Sequence, residues 1–219
     1  STLEMARQLT ELGAQVTVFH RGPAAAPAAA GQAQCVALPA SGRTLAARTY
    51  RFIQDVQRAC RAANFDIRHA ITPCLCANVY QPRGGTLRET VSRTLARVPA
   101  PWRWLKAAGR RFNTRQRFLY HLERMLLTKR RANVHVAALS DYVKRQVELG
   151  YRFPAEQVTV VFNGVDVPPL DDDERRALRK TARNELGLAP NTPTLLFVAH
   201  NFALKGLGEL LGALHRGVH

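Results

Sequence analysis

Two stretches of this 219-residue chain combine residue types that could do chemistry at close spacing. Between Arg83 and Arg131 stand fourteen lysines and arginines against only Glu89 and Glu123. At the centre of that region, VPAPWRWLKAAGRRF interleaves Trp102, Trp104, Leu105 and Phe112 with Arg103, Lys106, Arg110 and Arg111. Rings at a headgroup boundary beside cations that meet anionic lipid would form an interfacial anchor, each near-surface cation contributing ~1 kcal/mol. The same arginines could contact nucleic-acid phosphates while the tryptophans stack on bases. A third reading is a solvated cationic face whose tryptophans pack inward. Near the other end, LLFVAHNFALKG (residues 195–206) runs from an apolar stretch to Lys205 and Gly206 as a helix pattern, LGELLGAL, begins. Taken alone, that lysine is a solvated one ahead of a helix. The four cysteines, Cys35, Cys60, Cys74 and Cys76, include one tight Cys-x-Cys pair, but no second pair mirrors it and no histidine cluster lies near it. They read as reduced, partly buried thiols rather than metal ligands.

The elements that must position these residues follow a repeating pattern. The chain is long enough for one large α/β domain or somewhat more, and 46% apolar content fits a folded core. No apolar run approaches the ~18 residues of a membrane-spanning helix. STLEMARQLTELG carries a helical stripe (Leu3, Met5, Ala6, Leu9, Leu12) that stops at Gly13, and QVTVF then reads as a short buried strand. A low-complexity loop, GPAAAPAAAGQ, leads to a strand at QCVALP. Leu45, Phe52, Ile53, Val56 and Cys60 recur at helical spacing before a third strand, FDIRHAIT. Strands separated by helices of this length argue for a doubly wound parallel sheet, whose ligands gather at the carboxyl ends of the strands. TPCLCANVYQPRGG (residues 72–85) occupies that place, and its prolines and Gly84-Gly85 mark it as a loop. A helix from about Arg115 to Arg131, a strand at NVHVAAL, a helix capped by Ser140 and ending at Gly150, and QVTVVF closed by an Asn163-Gly164 turn complete the pattern. The chain then changes texture. VPPLDDDERR opens a helix with acids at its amino end, as the helix dipole favours, and LLFVAH reads as a fresh strand. A boundary near residues 167–169 divides a domain of residues 1–167 from the start of a second at 168–219. The first lacks a leading strand and the second is too short to complete an α/β domain, so truncation is expected at both ends.

The stretch LERMLLTKRRANVHVAALSDYVKRQVELGYRFPAEQVTVVFNGVDV (residues 122–167) resembles the family 4 retaining glycosyltransferases of the GT-B fold, and the whole chain can be laid along that pattern. The resemblance rests on an ordered set: Glu123-Arg124, a strand leading to Ser140, Asn163-Gly164-Val165-Asp166, then Lys205-Gly206. It is similar most of all to bacterial transferases of the lipopolysaccharide-core type. It implies two Rossmann-like domains, with an acceptor-side amino-terminal domain and a carboxyl-terminal domain, here incomplete, that binds a nucleotide-sugar. Asn163, Gly164 and Asp166 would enter the hinge. Lys205, with Gly206, matches the lysine that holds the donor diphosphate, where an ammonium at a strand end neutralises a leaving phosphate without a metal. Family members often carry an arginine a few residues before this lysine, and here that half of the cationic grip is missing or replaced by His200. The family's glycine-rich loop would precede Ser1, and its later Glu-x7-Glu motif would follow His219.

On the acceptor side the resemblance implies His69, Asn78, Tyr80 and Arg83 near the acceptor sugar, with Glu123 and Arg124 in a cleft role. His69 and Asn78 are the candidates for the catalytic position. Asn78 stands where related enzymes can have a carboxylate, and an amide can still orient a hydroxyl. His69 as a structural imidazole is the alternative. For Glu123, chemistry alone favours an ion pair to a neighbouring arginine. The expected activity is transfer of a hexose or heptose from a nucleotide-sugar to a glycan or glycolipid hydroxyl with retention, in envelope polysaccharide or lipopolysaccharide biosynthesis. No cofactor or metal is expected. The protein would be cytoplasmic and peripheral on the inner membrane face, through Trp102, Arg103, Trp104, Lys106, Arg110 and Arg111, and the fragment inactive alone. The alternatives are a basic nucleic-acid-binding α/β protein, against which stands the lack of a helix-turn-helix, zinc-finger or RNP signature, and a nonfunctional remnant of a split gene.

Overall fold

The computed structural model describes residues 2–22, 31–39, 41–96, 102, 109, 113–129, 131–164, 169–199 and 201–217. It divides into two compact units, Ser1–Gly164 and Val165–His219. In the first, helix α1 (Thr2–Glu11) ends as Gly13 takes φ 89°, and parallel strands β1 (Thr17–His20) and β2 (Gln34–Ala37) follow in register from Thr17 opposite Gln34. Helix α2 (Leu45–Ala62) begins where the Thr44 hydroxyl accepts the Ala47 N–H, satisfying one of the free amides of its first turn.

A second sheet carries four parallel strands in the order β3 (His69–Ala70), β4 (Val79–Tyr80), β5 (His135–Ala138) and β6 (Val158–Val160). The stretch 72–85 is therefore not simply a loop: it supplies β4, paired on both sides, with Tyr80 opposite Ala70 and Val136. Two residues between turns give too short an alternation for the sequence pattern to register. Helix α3 (Leu87–Ala96), which the basic composition conceals, follows β4. Helix α4 (Thr114–Arg124) runs on into a π-turn at Met125–Lys129, together matching most of the expected helix. Helix α5 (Asp141–Tyr151) is capped by Ser140, whose hydroxyl accepts the Val143 N–H at 3.3 Å. It ends one residue beyond Gly150, and Arg152 rather than the glycine takes the left-handed conformation, φ 50°.

The core of this unit lies between the four-stranded sheet and α4–α5. Leu126, Leu127, Val136, Ala138 and Val147 are fully buried there with Val134, Val143, Phe153 and Val158. Fully burying a large aliphatic side chain stabilises by about 1.5–3 kcal/mol. A second cluster joins Ile53 of α2 to Cys74, Leu119 and Leu122.

The second unit holds α6 (Asp172–Glu185), a helical turn α7 (Phe202–Lys205) and α8 (Leu207–Gly217). Asp171 caps α6 in a full capping box with Glu174. Residues 192–199 form no strand, against the expectation for LLFVAH. An apolar run becomes a strand only by exchanging hydrogen bonds with a neighbour, and among the described residues of this unit there is none; Leu196 is 86% exposed.

Candidate active site

The pairing of β3 with β4 brings His69, Gln81 and Arg83 together at one margin of the four-stranded sheet. His69 opens β3, and Gln81 follows β4 directly, its backbone N–H donating to the Ala70 carbonyl at 2.9 Å. Arg83 donates from Nε to the Gln81 Oε1 at 3.4 Å and from Nη1 to the Thr2 hydroxyl at 2.9 Å, tying the edge to the start of α1. Solvent reaches the His69 ring. Even so, the surrounding protein desolvates it, and with the Arg83 charge this lowers its pKa below the usual 6.5, against a hydrogen bond with Gln81 that favours the charged form. The imidazole is thereby biased toward its neutral, proton-accepting form near neutral pH. Gln81 is buried and was not singled out from the sequence; its only prior signal is its place immediately after a short strand.

Two other expected acceptor-side residues are turned inward. Tyr80 is buried, and its hydroxyl donates to Glu123 Oε2 at 2.9 Å. Glu123 has no exposed surface, and its carboxylate also accepts the Tyr151 hydroxyl at 2.5 Å and the Leu87 N–H at 2.8 Å. Its partners are thus two phenols and the first amide of α3, not an arginine. The free N–H groups and dipole of a helix start offer a carboxylate what an ion pair would, without burying a second charge. Burial, then the neighbouring Glu123, pushes the pKa of both Tyr80 and Tyr151 up, so both remain protonated donors. These residues hold β4, α3, α4 and α5 in place beneath the edge and do not reach an acceptor. Arg124, next along α4, is exposed.

Asn78 is committed locally. Its Oδ1 accepts the Arg68 N–H at 2.7 Å and its Nδ2 donates to the Asp66 carbonyl at 2.9 Å, which latches the entry of β3 to the entry of β4. This use explains an amide at that position, and it takes one of the two lone pairs of the Asn78 oxygen.

Lys205 is exposed at the end of α7, its N–H bonded to the Asn201 carbonyl at 3.0 Å, and so sits at the end of a helical turn rather than of a strand. Gly206 takes φ 84° and breaks α7 from α8, a conformation for which glycine carries no Cβ penalty. Asn163 and Gly164 are exposed in irregular backbone without the expected turn. Trp102 is 60% exposed, which excludes the inward-packed reading for that ring. His200, Asp166, Arg103, Trp104, Lys106, Arg110 and Arg111 lie outside the described residues. Among the described residues no group of His, Cys, Asp or Glu could hold a metal, and no helix is long and apolar enough to cross a membrane. A cleft of about 450 Å³ lined by Thr10, Gln15, Val16, Gln32 and Gln34 opens at the amino ends of β1 and β2, without an ionisable side chain and at the wrong end of parallel strands for a substrate.

The first unit is of the α/β class, with parallel strands flanked by helices, and the sequence narrows that class to a family. Residues 1–168 match Glycosyltransferase Family 4, and the chain belongs to that family. Among solved structures the chain is similar to WaaG, a glycosyltransferase involved in lipopolysaccharide biosynthesis, with TM-score 0.70 and 17% identity over 97% of this chain and 54% of that one. The likeness establishes the GT-B fold, and the chain spans about half the length of WaaG. No curated protein sequence matches it.

Proposed function

We propose that this chain supplies the acceptor side of a retaining sugar transferase that moves a hexose or heptose from a nucleotide-sugar to a hydroxyl of a glycan or glycolipid, in lipopolysaccharide or related envelope synthesis. The observation that carries the reading is the His69–Gln81–Arg83 edge in a chain of Glycosyltransferase Family 4. His69 contacts the acceptor hydroxyl, Gln81 orients the ring, and Arg83 meets acidic or phosphorylated groups on the acceptor. In the second unit, Lys205 and Gly206, with His200, meet the donor diphosphate, an ammonium offsetting the charge that develops on the leaving group. Neither half needs a metal or cofactor. Asn163, Gly164 and Asp166 serve as the hinge segment, and residues 1–219 alone turn over no donor.

Trp102 and the basic segment around it dock the enzyme on an anionic membrane surface from the cytoplasmic side, bringing it to a lipid-linked acceptor. Salt-sensitive binding to RNA but not to anionic vesicles would reverse that part of the proposal. The activity is tested with protein expressed from its complete reading frame, mixed with UDP-, GDP- and ADP-sugars and core oligosaccharide acceptors. Release of one nucleotide that depends on acceptor, and falls at least a hundredfold in His69→Ala, a typical contribution for a positioned imidazole, supports it. No turnover with any pair rejects it.

A further inference from the structure

The segment that joins β3 to β4 carries a group of sulfurs that sugar transfer does not use. Cys74 and Cys76 hold their Sγ atoms 3.2 Å apart, closer than two non-bonded sulfurs rest without an S–H bridge between them. The contact is produced by the backbone. The Ala77 N–H donates to the Cys74 carbonyl at 3.1 Å, closing a four-residue turn that folds the first and third positions toward each other. Leu75, between them, packs against both core clusters and holds the turn down. Cys74 is buried among Ile53, Leu119 and Leu122, while Cys76 is partly open to solvent. Cys60 of α2 borders Cys76, and Gln57 reaches Cys74. The two thiols are unequal. Hydrogen bonding from Cys76, then from Gln57 against the cost of burial, brings Cys74 down to about 7, whereas Cys76 is pushed up as the proton-keeping partner. The contact therefore favours a thiolate on Cys74 beside a thiol on Cys76, and it places a resolving partner against the sulfur that would be oxidised first.

We propose that Cys74 and Cys76 form a redox-active dithiol that closes to a disulfide under hydrogen peroxide. The Cys74 thiolate attacks one peroxide oxygen, the O–O bond breaks, and hydroxide leaves to take a proton as water. The resulting sulfenic acid on Cys74 is attacked by the Cys76 sulfur, the S–O bond breaks, and the Cys76 proton leaves with the hydroxyl as a second water. Both sulfurs are oxidised by one electron each, and peroxide is reduced by two. Closure draws the sulfurs from 3.2 Å to the disulfide separation of about 2.05 Å. Because the pair lies between His69 and Gln81, closing this small ring fixes the connection that sets the spacing of those side chains.

The test is peroxide treatment of the reduced 219-residue protein, alkylation of remaining thiols with iodoacetamide, and tryptic mass spectrometry. Trypsin releases His69–Arg83 with both cysteines on one peptide and Cys60 on another. The expected result is a 69–83 peptide lighter by two hydrogens and unalkylated, restored by dithiothreitol, with Cys35 and Cys60 alkylated. It should form faster than in concentrated urea, where the turn that brings the two sulfurs together is lost. Cys76→Ser should trap the sulfenic acid as a dimedone adduct on Cys74. Both thiols of the 69–83 peptide remaining alkylatable while Cys35 oxidises, a Cys60–Cys76 cross-link, or an equal rate in urea would each overturn the proposal, and the first and last of these need no variant to fold.

Discussion

The two units solve the same problem, holding helices in place, by different physics. In residues 1–164 the helices are held by burial: α5 and the π-turn after α4 pack apolar side chains onto the four-stranded sheet, α4 packs on α2, and Glu123 joins β4, α3, α4 and α5 by accepting from Tyr80, Tyr151 and Leu87. Among the described residues of the second unit only Arg183 is buried, and its guanidinium binds the carbonyls of Ala189 and Thr192. There α6 is held by local devices, a capping box and the pairs Asp172–Arg175 and Asp173–Arg176, while Leu195, Leu196, Val198 and Leu211 stay exposed. The difference teaches that strong local signals make helices without making a core. A buried polar junction, by contrast, needs distant segments that no local signal announces.

Substitutions should separate these regimes. Glu123→Ala leaves two buried hydroxyls and an amide without partners, and should cost on the order of 4 kcal/mol in urea unfolding of the first unit. A loss below about 1 kcal/mol would show that burial alone holds the junction. Next comes alkaline pH. Tyr80 and Tyr151 have raised pKa values in the folded protein, so the unfolded chain loses their protons first as pH rises past 10. Their stabilisation is therefore complete below pH 10 and declines above it, by ~1.4 kcal/mol per pH unit for each tyrosine. Unfolding midpoints measured up to that range, in wild type and Tyr151→Phe, should diverge below pH 10 and converge above it.

In the second unit the effects shrink. Asp171→Ala removes the capping box and should cost ~1 kcal/mol of α6, read as lost helicity by circular dichroism with no shift in the main unfolding transition. Asp173→Ala removes an exposed ion pair and should change stability by less than ~0.5 kcal/mol. A large effect from either would mean the unit has tertiary support beyond its local bonds.

What the sequence made legible follows the same division. Periodicity located α1, α2 and α4, and cap chemistry located Ser140 and the acidic start of α6, because each is a local arrangement. The ordered motifs carried the family. The sequence could not announce β4, since two residues show no alternation, nor the Tyr80–Glu123–Tyr151 junction, whose members lie 43 and 28 residues apart. The expected strand at 195–200 failed for the complementary reason: its apolar pattern is present, but pairing depends on a neighbour. At the site, His69 and Arg83 were readable as chemistry-bearing types near a strand end. Gln81, an ordinary polar residue, became visible only when the sheet placed it between them.

The most direct test of the acceptor-side assignment is the His69 imidazole resonance during titration of the protein with lipopolysaccharide-core oligosaccharide, and separately with a nucleoside diphosphate. Oligosaccharide should shift it in wild type and much less in Arg83→Ala, while the diphosphate leaves it unmoved. A resonance that stays fixed with every glycan and moves with the diphosphate would contradict the assignment.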